Sequence, residues 1–452
     1  MDKFTRSTIC KKKHYQGDSS IVVRPQSTEE VSKILKYCNE RHIGVVPQAG
    51  NTGLVGGSIP KSEHEIVVSV ELLNNIEDLD PMSGIVRVQA GCILQELQDY
   101  AATQNFLVPV DLGAKGTCQI GGNVSTNAGG SYYFRYGSLH ANVMGLEVVS
   151  PTGDVLNLGY NPCHLKDNTG YDLKQLFVGA EGSLGIVTKV ALLCPTLPRS
   201  KTAAFLACQS FDQVTKCLRI AKDQLGEILA AFEFMDGPVL EMVVQKQQDD
   251  ASFPLDNVHP FCILIETHGS SKEHDEEKME AFIETLMNDG TVVDGVLAQN
   301  LSQLETMWKT RESCNPSVAA TGYVYKYDVS LAVLDFDTFI DEIRSELRGL
   351  SPQPCICTNW GHLMDGNLHC NVVVPGNFEK DDFLCEKIDS LVLNKVIERG
   401  GSISAEHGLG QYKHIYMHEI KDPATLSTMY AMKNLFDPNR IMNPGKYLPP
   451  KD

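Results

Sequence analysis

No apolar run in this sequence of 452 residues is long enough to cross a lipid bilayer. The longest runs, such as Ile66–Val70 and Phe261–Ile265, are the length of single strands. A membrane-spanning helix needs about 20 apolar residues. We therefore do not expect an integral membrane protein.

Positive charge is scarce: the chain has 39 lysines and arginines against 57 aspartates and glutamates, a formal net charge of −18 at pH 7. Long-range electrostatics would repel nucleic acid or an anionic membrane surface, so we expect neither as the main partner. If the substrate is an anion, a few buried cations must overcome this field locally.

The N-terminus lacks the apolar core of a secretory leader and carries Lys3, Arg6 and Lys11–Lys13 instead. The 14 cysteines follow no repeating spacing, and most lie in apolar segments, as Cys208 and Cys262 do. This distribution is typical of reduced cysteines in the core of an intracellular protein.

The pattern of helices and strands predicts an α+β architecture. A capping box at Ser27–Glu30, followed by apolar residues at helical spacing, begins the first helix. Pro195 and Pro198 mark a domain boundary, beyond which the pattern predicts an antiparallel, ferredoxin-like sheet with helices on one face. The predicted helices are 28–41, 92–104, 211–224, 237–247, 273–288, 297–311 and 335–348, and the predicted strands are 20–24, 43–47, 66–70, 85–89, 107–110, 144–150, 184–193, 203–208, 230–235, 261–266, 323–329 and 368–374.

The segment Pro47–Gly57 is the first that indicates a ligand. A strand ends here in a loop with glycines at 50, 53, 56 and 57, whose backbone N–H groups can turn inward around a phosphate. Its spacing fits neither a Walker A loop nor the Rossmann fingerprint. Because glycine turns often only reverse the chain, this segment alone leaves both interpretations open.

Two further segments have unusual compositions. Gly116–Gly130 is rich in small residues and contains no charged residue. This composition favours buried backbone packed against a large flat ligand over a flexible linker. Glu181–Ile186 does not match the Gly-x-Ser-x-Gly nucleophile elbow, so serine hydrolysis has no support.

A group of histidines lies in the second half of the chain. His362 and His369 flank an Asp-Gly turn, and Glu406–His407 follow later. Two histidines and a carboxylate are typical of a catalytic zinc site. One alternative is that the histidines are hydrogen-bonded turn residues. Another is a closed structural zinc site that adds Cys355 and Cys357, although Cys-x-Cys is a poor match to the usual spacer.

Two cations stand in surroundings that suggest burial. Lys326 lies midway along the aromatic-rich strand Tyr323–Tyr327, and Arg311 precedes it. Lysine often reaches the surface from such a position. An anionic substrate would give both cations a reason to be buried.

Together, Pro47–Gly57, Gly116–Gly130 and Asp167–Ile186 resemble, in this order, the FAD-binding domain of the vanillyl-alcohol-oxidase (PCMH-type) flavoproteins. Covalent members of that group use a histidine in the first loop; this loop has none, so the resemblance implies non-covalent FAD. The implied FAD-binding residues are Pro47, Gly50, Asn51, Thr52, Gly53, Leu54, Gly116, Thr117, Gly121, Gly122, Asn123, Asn127, Gly182, Ile186 and Asn443.

The histidine segments and the stretches Lys166–Ile186 and Ala231–Asp236 narrow the resemblance to the FAD-linked oxidase family with a metal in its cap domain. It implies a PCMH-type FAD-binding domain at 17–197, a ferredoxin-like cap domain that binds substrate and metal at 198–430, and a C-terminal segment at 431–452 that packs back on the FAD domain.

The resemblance also implies a reaction: oxidation of D-2-hydroxyglutarate to 2-oxoglutarate, with hydride transfer to flavin N5. D-lactate or another D-2-hydroxy acid is the alternative substrate. Met364 and Asn315 depart from the family pattern at the turn between the histidines and in the substrate site. The implied roles are zinc binding by His362, His369 and Glu406, general-base catalysis by His407, orientation of the substrate head by Asn371, and binding of the distal carboxylate by Arg311, Asn315 and Lys326.

For partners, the resemblance implies electron transfer flavoprotein or a quinone-linked acceptor, and it leaves a homodimer open. The implied compartment is the mitochondrial matrix, or the cytoplasm if the short N-terminus is the native one.

Overall fold

The computed structural model describes residues 15–246, 253–351 and 353–450, so the basic residues at the N-terminus lie outside the described part. Within it the chain divides into two compact units. The first unit contains the residues up to Gly130, the segment Tyr136–Leu197 and the chain from Glu406 onward. The second contains Ser131–Arg135 and Pro198–Ala405.

The secondary structure follows one chain order through both units. The strands are β1 (Val22–Val23), β2 (Gly44–Gln48), β3 (Glu65–Ser69), β4 (Ile76–Leu79), β5 (Ile85–Gln89), β6 (Val143–Val149), β7 (Val155–Leu158), β8 (Ile186–Leu193), β9 (Ser200–Cys208), β10 (Leu229–Asp236), β11 (Phe261–Gly269), β12 (Asp294–Leu297), β13 (Val324–Ser330), β14 (Ile356–His362) and β15 (Asn367–Val373). The helices are α1 (Thr28–Glu40), α2 (Leu94–Thr103), α3 (Ile120–Ser125), α4 (Tyr133–Tyr136), α5 (Leu139–Asn142), α6 (Phe211–Gln224), α7 (Gly237–Lys246), α8 (Lys272–Asn288), α9 (Leu301–Glu312), α10 (Cys314–Thr321), α11 (Phe336–Leu347), α12 (Asp382–Glu398), α13 (Met417–Ile420) and α14 (Pro423–Phe436).

The first unit contains two sheets. A parallel sheet has the order β1-β3-β2, and an antiparallel sheet has the order β4-β5-β8-β6-β7. Helix α1 buries Val31, Leu35 and Cys38 against the core of the parallel sheet. Each of these residues follows the last by three or four positions, which is the spacing that lines one helix face.

The first helix begins as predicted, but its cap differs in one bond. The Ser27 hydroxyl accepts a hydrogen bond from the Glu30 amide at 3.3 Å. The Glu30 carboxylate accepts from the amide of Gln26 at 2.7 Å rather than from that of Ser27. The capping residues are therefore correct, and the reciprocal bond lies one residue earlier because the carboxylate reaches the next free donor.

The second unit is built on one antiparallel sheet with the strand order β12-β9-β11-β10-β14-β15-β13. Together with the parallel and antiparallel sheets and the helices of the first unit, it confirms the predicted α+β class. Among the described residues, no helix has the length and apolarity that crossing a membrane requires.

The structure differs from the predicted secondary structure in several places. Residues 107–110 form no strand; the Leu107 amide instead donates a single hydrogen bond to the Pro195 carbonyl, at 2.8 Å. The predicted helix 297–311 begins at Leu301, because Leu297 ends strand β12. The elements that were not predicted include helices α10, α12 and α14 and strands β4, β7, β12 and β14. Strand β14 is buried on both faces, with Thr358 and Asn359 fully buried, so its sequence lacks the alternation that marks a half-exposed strand.

Candidate active site

The three glycine-rich segments converge in the first unit. A Cβ atom on Gly50 would lie 2.2 Å from the Thr117 carbonyl oxygen, so the first loop packs directly on the second. Gly182 has a φ of +71°, and a Cβ atom there would lie 2.9 Å from Cγ of Pro47. Only glycine fits both positions without displacing backbone or a proline ring. Segments far apart in the sequence therefore form one wall.

The predicted FAD-binding residues lie on a few elements around this wall. Pro47 lies on β2, and Ile186 begins β8. Asn443 has a φ of +48°, and its side-chain amide donates to the carbonyls of Gly57 and Glu181 at 3.0 and 2.8 Å. The loop after β2 holds Gly50, Asn51, Thr52, Gly53 and Leu54, the loop before α3 holds Gly116 and Thr117, α3 itself holds Gly121, Gly122 and Asn123, and Asn127 and Gly182 lie in turns.

Two asparagines of this set carry buried oxygens that need a donor. Oδ1 of Asn123 and Oδ1 of Asn127 have no hydrogen-bond partner among the described residues. A buried amide oxygen without a donor costs about 1–3 kcal/mol. FAD carries hydroxyl and N–H donors, and a Cβ atom on Gly53 or Gly116 would meet no atom within 4 Å. The residues present therefore fit this cofactor.

Glu181, the first residue of Glu181–Ile186, links two parts of the chain through hydrogen bonds of its side chain. The sequence did not indicate this role. Its backbone has a φ of +50°, and its carboxylate accepts from the amides of Leu409 and Gly410 at 2.7 and 2.9 Å. Burial raises the pKa of Glu181 above its ordinary value, against the effect of these two amides. Glu406 acts in the same way, since its Oε1 accepts from the Gly130 amide at 2.6 Å. These bonds hold the stretch Glu406–Gly410 to the glycine-rich segments.

The end of the chain pairs with β2. The Val45 amide donates to the Ile441 carbonyl, and the Asn443 amide donates to the Val45 carbonyl, each at 2.7 Å. Nζ of Lys446 donates to Oδ1 of Asn443, also at 2.7 Å. Lys446 is 5% exposed. A buried lysine thus orients the asparagine that ties Gly57 to the third segment.

This lysine predicts a pH dependence of stability. Burial lowers the pKa of Lys446 from 10.5 to about 7, although Glu65 acts in the opposite direction. Between pH 7 and pH 9 unfolding takes up a proton, so this group makes the free energy of unfolding rise with pH, by up to about 1.4 kcal/mol per pH unit. We expect Lys446→Met to remove that rise. Denaturant unfolding of both proteins at pH 7, 8 and 9 with saturating FAD measures it, and a difference between them that does not vary with pH would contradict the prediction.

In the second unit four of the predicted substrate and metal residues share one face of the sheet. Lys326 on β13 lies opposite Asn371 on β15, and His369 is two residues before Asn371. His369 pairs with Trp360 on β14, two residues before His362. Because side chains two apart on a strand point the same way, these side chains line a single face.

The two histidines are close enough to share an ion. Their ring centroids are 5.4 Å apart, and each ring offers a nitrogen within 4.8 Å of one on the other. Cys357 lies five residues before His362 on β14 and therefore points to the opposite face, where its Sγ is 3.8 Å from Sγ of Cys370. The closed site of two cysteines and two histidines is therefore not formed.

A carboxylate lies behind each histidine. Oε1 of Glu233 is 2.6 Å from Nδ1 of His362, and Oδ1 of Asp328 is 3.6 Å from Nδ1 of His369. An imidazole that donates from Nδ1 carries its lone pair on Nε2, where a metal can bind. Carboxylates in this position are typical of zinc-binding histidines. The donor set of the second unit therefore fits zinc.

Glu233 is the main residue that the sequence analysis missed. It is fully buried on β10, opposite His362, and its Oε2 accepts from Nε and Nη2 of Arg311, each at 2.8 Å. Burial alone would raise the pKa of Glu233, but His362 and Arg311 hold it below its ordinary value. The sequence does contain one sign of this residue's role: Glu233 is the single carboxylate in the otherwise apolar run Ala230–Phe234. A carboxylate buried in such a run requires a buried partner.

The remaining substrate residues form a second small group. Nζ of Lys326 donates a hydrogen bond to Oδ1 of Asn315, at the start of α10. The amide of Asn371 donates to the carbonyl of His369 at 3.1 Å, and Asn371 is buried. Arg311 is bonded to Glu233, so the structure brings Lys326, Asn315 and Asn371 together and gives Arg311 a different partner.

A second buried carboxylate lies on the same face, on the neighbouring strand β11. Glu266 accepts from Nε1 of Trp308 on α9 at 2.5 Å, from the hydroxyl of Tyr132 at 3.2 Å, and lies 2.7 Å from Nε2 of His268. Burial raises the pKa of Glu266, but its hydrogen bond with His268 helps to hold it below its ordinary value. Glu233 and Glu266 thus hold Arg311 and Trp308, which lie one turn apart on α9.

Two family models match the chain, one in each half of the sequence. A family model described as the FAD-binding domain matches residues 19–159. A second, described as the C-terminal domain of FAD-linked oxidases, matches residues 197–447. The second match alone covers more than half of the chain.

Two similar proteins and one solved structure illustrate the relationship. The mitochondrial D-2-hydroxyglutarate dehydrogenase of Danio rerio is 44% identical, over 97% of this chain and 80% of that protein. The protein of the same name from Arabidopsis thaliana is 46% identical, over 96% and 76%. A structure of alkyldihydroxyacetonephosphate synthase is 16% identical with a TM-score of 0.74, over 96% of this chain and 77% of that one, and supports the fold alone. The chain belongs to the FAD-linked oxidase family and is a flavin-dependent oxidoreductase.

Proposed function

We propose that this enzyme oxidises D-2-hydroxyglutarate to 2-oxoglutarate with non-covalent FAD and one zinc ion. The observation that carries the proposal is the shared face of the second unit's sheet. On it, two histidines with carboxylates behind them lie beside Asn371 and a lysine. Histidines of this kind can hold a metal at the substrate's 2-hydroxy acid end, and the lysine can bind a second carboxylate.

The proposed zinc ligands are His362, His369 and Glu406. Their chemistry suits zinc, since two neutral imidazoles and one carboxylate leave coordination positions for a substrate. Ala405, the residue before Glu406, is tied to the sheet by a hydrogen bond from its amide to the Asp328 carbonyl at 3.4 Å. Glu406 follows Ala405 directly in the chain.

When bound, FAD would supply the acceptor for two electrons and zinc a Lewis acid for the hydroxyl of the substrate. His407, next to the proposed ligand Glu406, would accept the hydroxyl proton as general base. Asn371 would orient the first carboxylate with its side-chain amide. Lys326, Asn315 and Arg311 would bind the distal carboxylate; for Arg311 this requires the N–H donors that Glu233 does not engage.

The experiment that tests the function is anaerobic mixing of the yellow enzyme with D-2-hydroxyglutarate, D-lactate and D-malate, followed by flavin absorbance. We expect D-2-hydroxyglutarate to bleach the flavin fastest. Faster bleaching by D-lactate would replace the diacid with the alternative substrate of the same family. No bleaching by any of the three would overturn the proposed reaction.

The flavin should be released by acid or heat. The loop Pro47–Gly57 contains no histidine, so it offers no imidazole for a covalent bond to the flavin. Precipitating the protein with acid and measuring the absorbance of the supernatant checks this. Yellow colour that stays in the pellet would mean that the attachment site lies elsewhere in the chain.

Lys326→Met should lower kcat/KM for D-2-hydroxyglutarate at least tenfold, which corresponds to about 1.4 kcal/mol. The physical reason is that a second carboxylate held away from water needs a cation beside it. Activity on D-lactate, which has no second carboxylate, should change little or rise. The matched control is Lys201→Met, which replaces a half-buried lysine on β9 of the same sheet and should leave kcat/KM for both substrates unchanged. Equal losses on both substrates would mean that Lys326 supports the fold instead.

For the onward reaction we propose electron transfer flavoprotein or a quinone-linked protein as acceptor, in the mitochondrial matrix. The relatives from Danio rerio and Arabidopsis thaliana, which are named as mitochondrial, support the compartment. Stopped-flow reoxidation of the reduced enzyme by each acceptor, and imaging of a C-terminal fluorescent fusion, test the two parts separately.

A further inference from the structure

One fully buried carboxylate bonds to both a proposed zinc ligand and a proposed substrate residue. Glu233 lies on β10 within the apolar stretch Ala230–Phe234, and antiparallel pairing sets it opposite His362. Its two oxygens are divided between its partners: Oε1 meets Nδ1 of His362 at 2.6 Å, and Oε2 meets Nε and Nη2 of Arg311 at 2.8 Å.

We propose that Glu233 is a positioning residue that couples zinc binding through His362 to capture of the distal carboxylate through Arg311. The proposal rests on the proposed function and adds to it a residue with no assigned role. Glu233 itself would touch neither the metal nor the substrate.

The first half of the coupling is the orientation of the imidazole. A carboxylate at Nδ1 fixes the tautomer with its lone pair on Nε2 and holds the ring plane in place. Removing such a carboxylate typically weakens a metal site 10- to 100-fold. Asp328 can do the same for His369 only at a longer distance, 3.6 Å against 2.6 Å, so the contact at Glu233 is the stronger of the two.

The second half is the orientation of the guanidinium. Arg311 lies in the last turn of α9, and its side chain is 11% exposed. Its Nε and Nη2 form the edge that meets Glu233, which sets the plane in which the other N–H groups point. The Glu233 carboxylate therefore orients both His362 on β14 and Arg311 on α9. A change in the position of one of these side chains is transmitted to the other through Glu233.

Glu266 provides a matched control. It is also a buried glutamate on the same face of the sheet, and it also holds a residue of α9, Trp308, and a histidine, His268. Neither partner is a proposed zinc ligand or substrate residue. Glu233→Gln and Glu266→Gln therefore remove the same charge from equally buried positions on adjacent strands, and only the first touches the proposed site.

The test measures zinc affinity by competition with a chromophoric chelator, and KM for D-2-hydroxyglutarate at saturating zinc. A glutamine offers one acceptor oxygen, so it can serve His362 or Arg311 but not both. We expect Glu233→Gln to weaken zinc binding 10- to 100-fold and to raise KM at least tenfold, with FAD content unchanged. Glu266→Gln should alter neither value by more than twofold.

Unchanged zinc affinity in Glu233→Gln, or equal losses in Glu266→Gln, would overturn the proposal. If Glu233→Gln does not fold, Glu233→Asp replaces it: the charge stays, but the side chain is one methylene shorter and cannot span both partners. If Glu233→Asp has the zinc affinity and KM of the wild type, the positioning role is contradicted, and only the negative charge of residue 233 matters. Wild-type enzyme that binds no zinc would instead refute the proposed function, so the two failures are distinguishable.

Discussion

His369→Ala should abolish zinc binding and, with it, the reduction of flavin by D-2-hydroxyglutarate. A site of three protein ligands that loses one imidazole holds its metal too weakly to stay loaded. FAD should remain bound, because the FAD-binding segments lie in the first unit and His369 lies on β15 of the second. Metal analysis, flavin absorbance and stopped-flow reduction of the same preparation measure the three quantities.

Removing the metal from the wild type with a chelator should reproduce the variant, and added zinc should restore the wild type alone. His268→Ala is the matched control, since it also removes a buried histidine bonded to a glutamate on the same sheet. It should keep zinc and activity. Wild-type enzyme that is active without any bound metal would refute the proposed zinc site, independently of the result for His369→Ala.

His407→Asn should lower the rate of flavin reduction by about 10²–10⁴-fold, the usual contribution of a general base. Asparagine keeps a polar side chain of similar reach but cannot take up a proton, so substrate binding should survive while proton removal fails. Zinc and FAD content should stay at wild-type levels. Single-turnover mixing with D-2-hydroxyglutarate separates this loss in rate from any change in substrate affinity.

His414→Asn serves as the control for that experiment. His414 lies seven residues after His407, is 5% exposed, and has an Nδ1 without a hydrogen-bond partner among the described residues. Its replacement should leave the rate of flavin reduction within a fewfold of wild type. A His407→Asn enzyme that reduces flavin at the wild-type rate would assign the base to another residue.

The sequence singled out the glycine-rich segments because their signals are local. A stretch such as Gly116–Gly130, with small residues and no charge, cannot build a core of its own, so it must pack against something flat or against other backbone. The structure shows the second of these directly: Gly50 packs on the Thr117 carbonyl, and Gly182 packs on Pro47. Composition alone could not have named those pairs, because each joins segments distant in the chain.

Three buried charged residues were not predicted, and the reason is the same for each. Glu233 follows the apolar stretch Leu229–Phe232, Glu266 follows the apolar stretch Phe261–Ile265, and Lys446 stands in a proline-rich tail. Nothing in the neighbouring sequence states which partner satisfies a buried charge, because that partner comes from another strand or helix. Burial without a partner would cost several kcal/mol, so the partner must exist, but only the register of the sheet identifies it.

Taken by itself, the sequence determined the α+β class, the order of the glycine-rich segments and the residue types suited to FAD and zinc, since each depends on spacing within a short stretch. Tertiary structure alone decided that Arg311 bonds to Glu233, that Lys326 meets Asn315, and that Cys357 points away from His362. The physical reason is strand register. A side chain's face is fixed by alternation along its own strand, but its neighbour is fixed by a hydrogen-bonded strand that can be more than a hundred residues away.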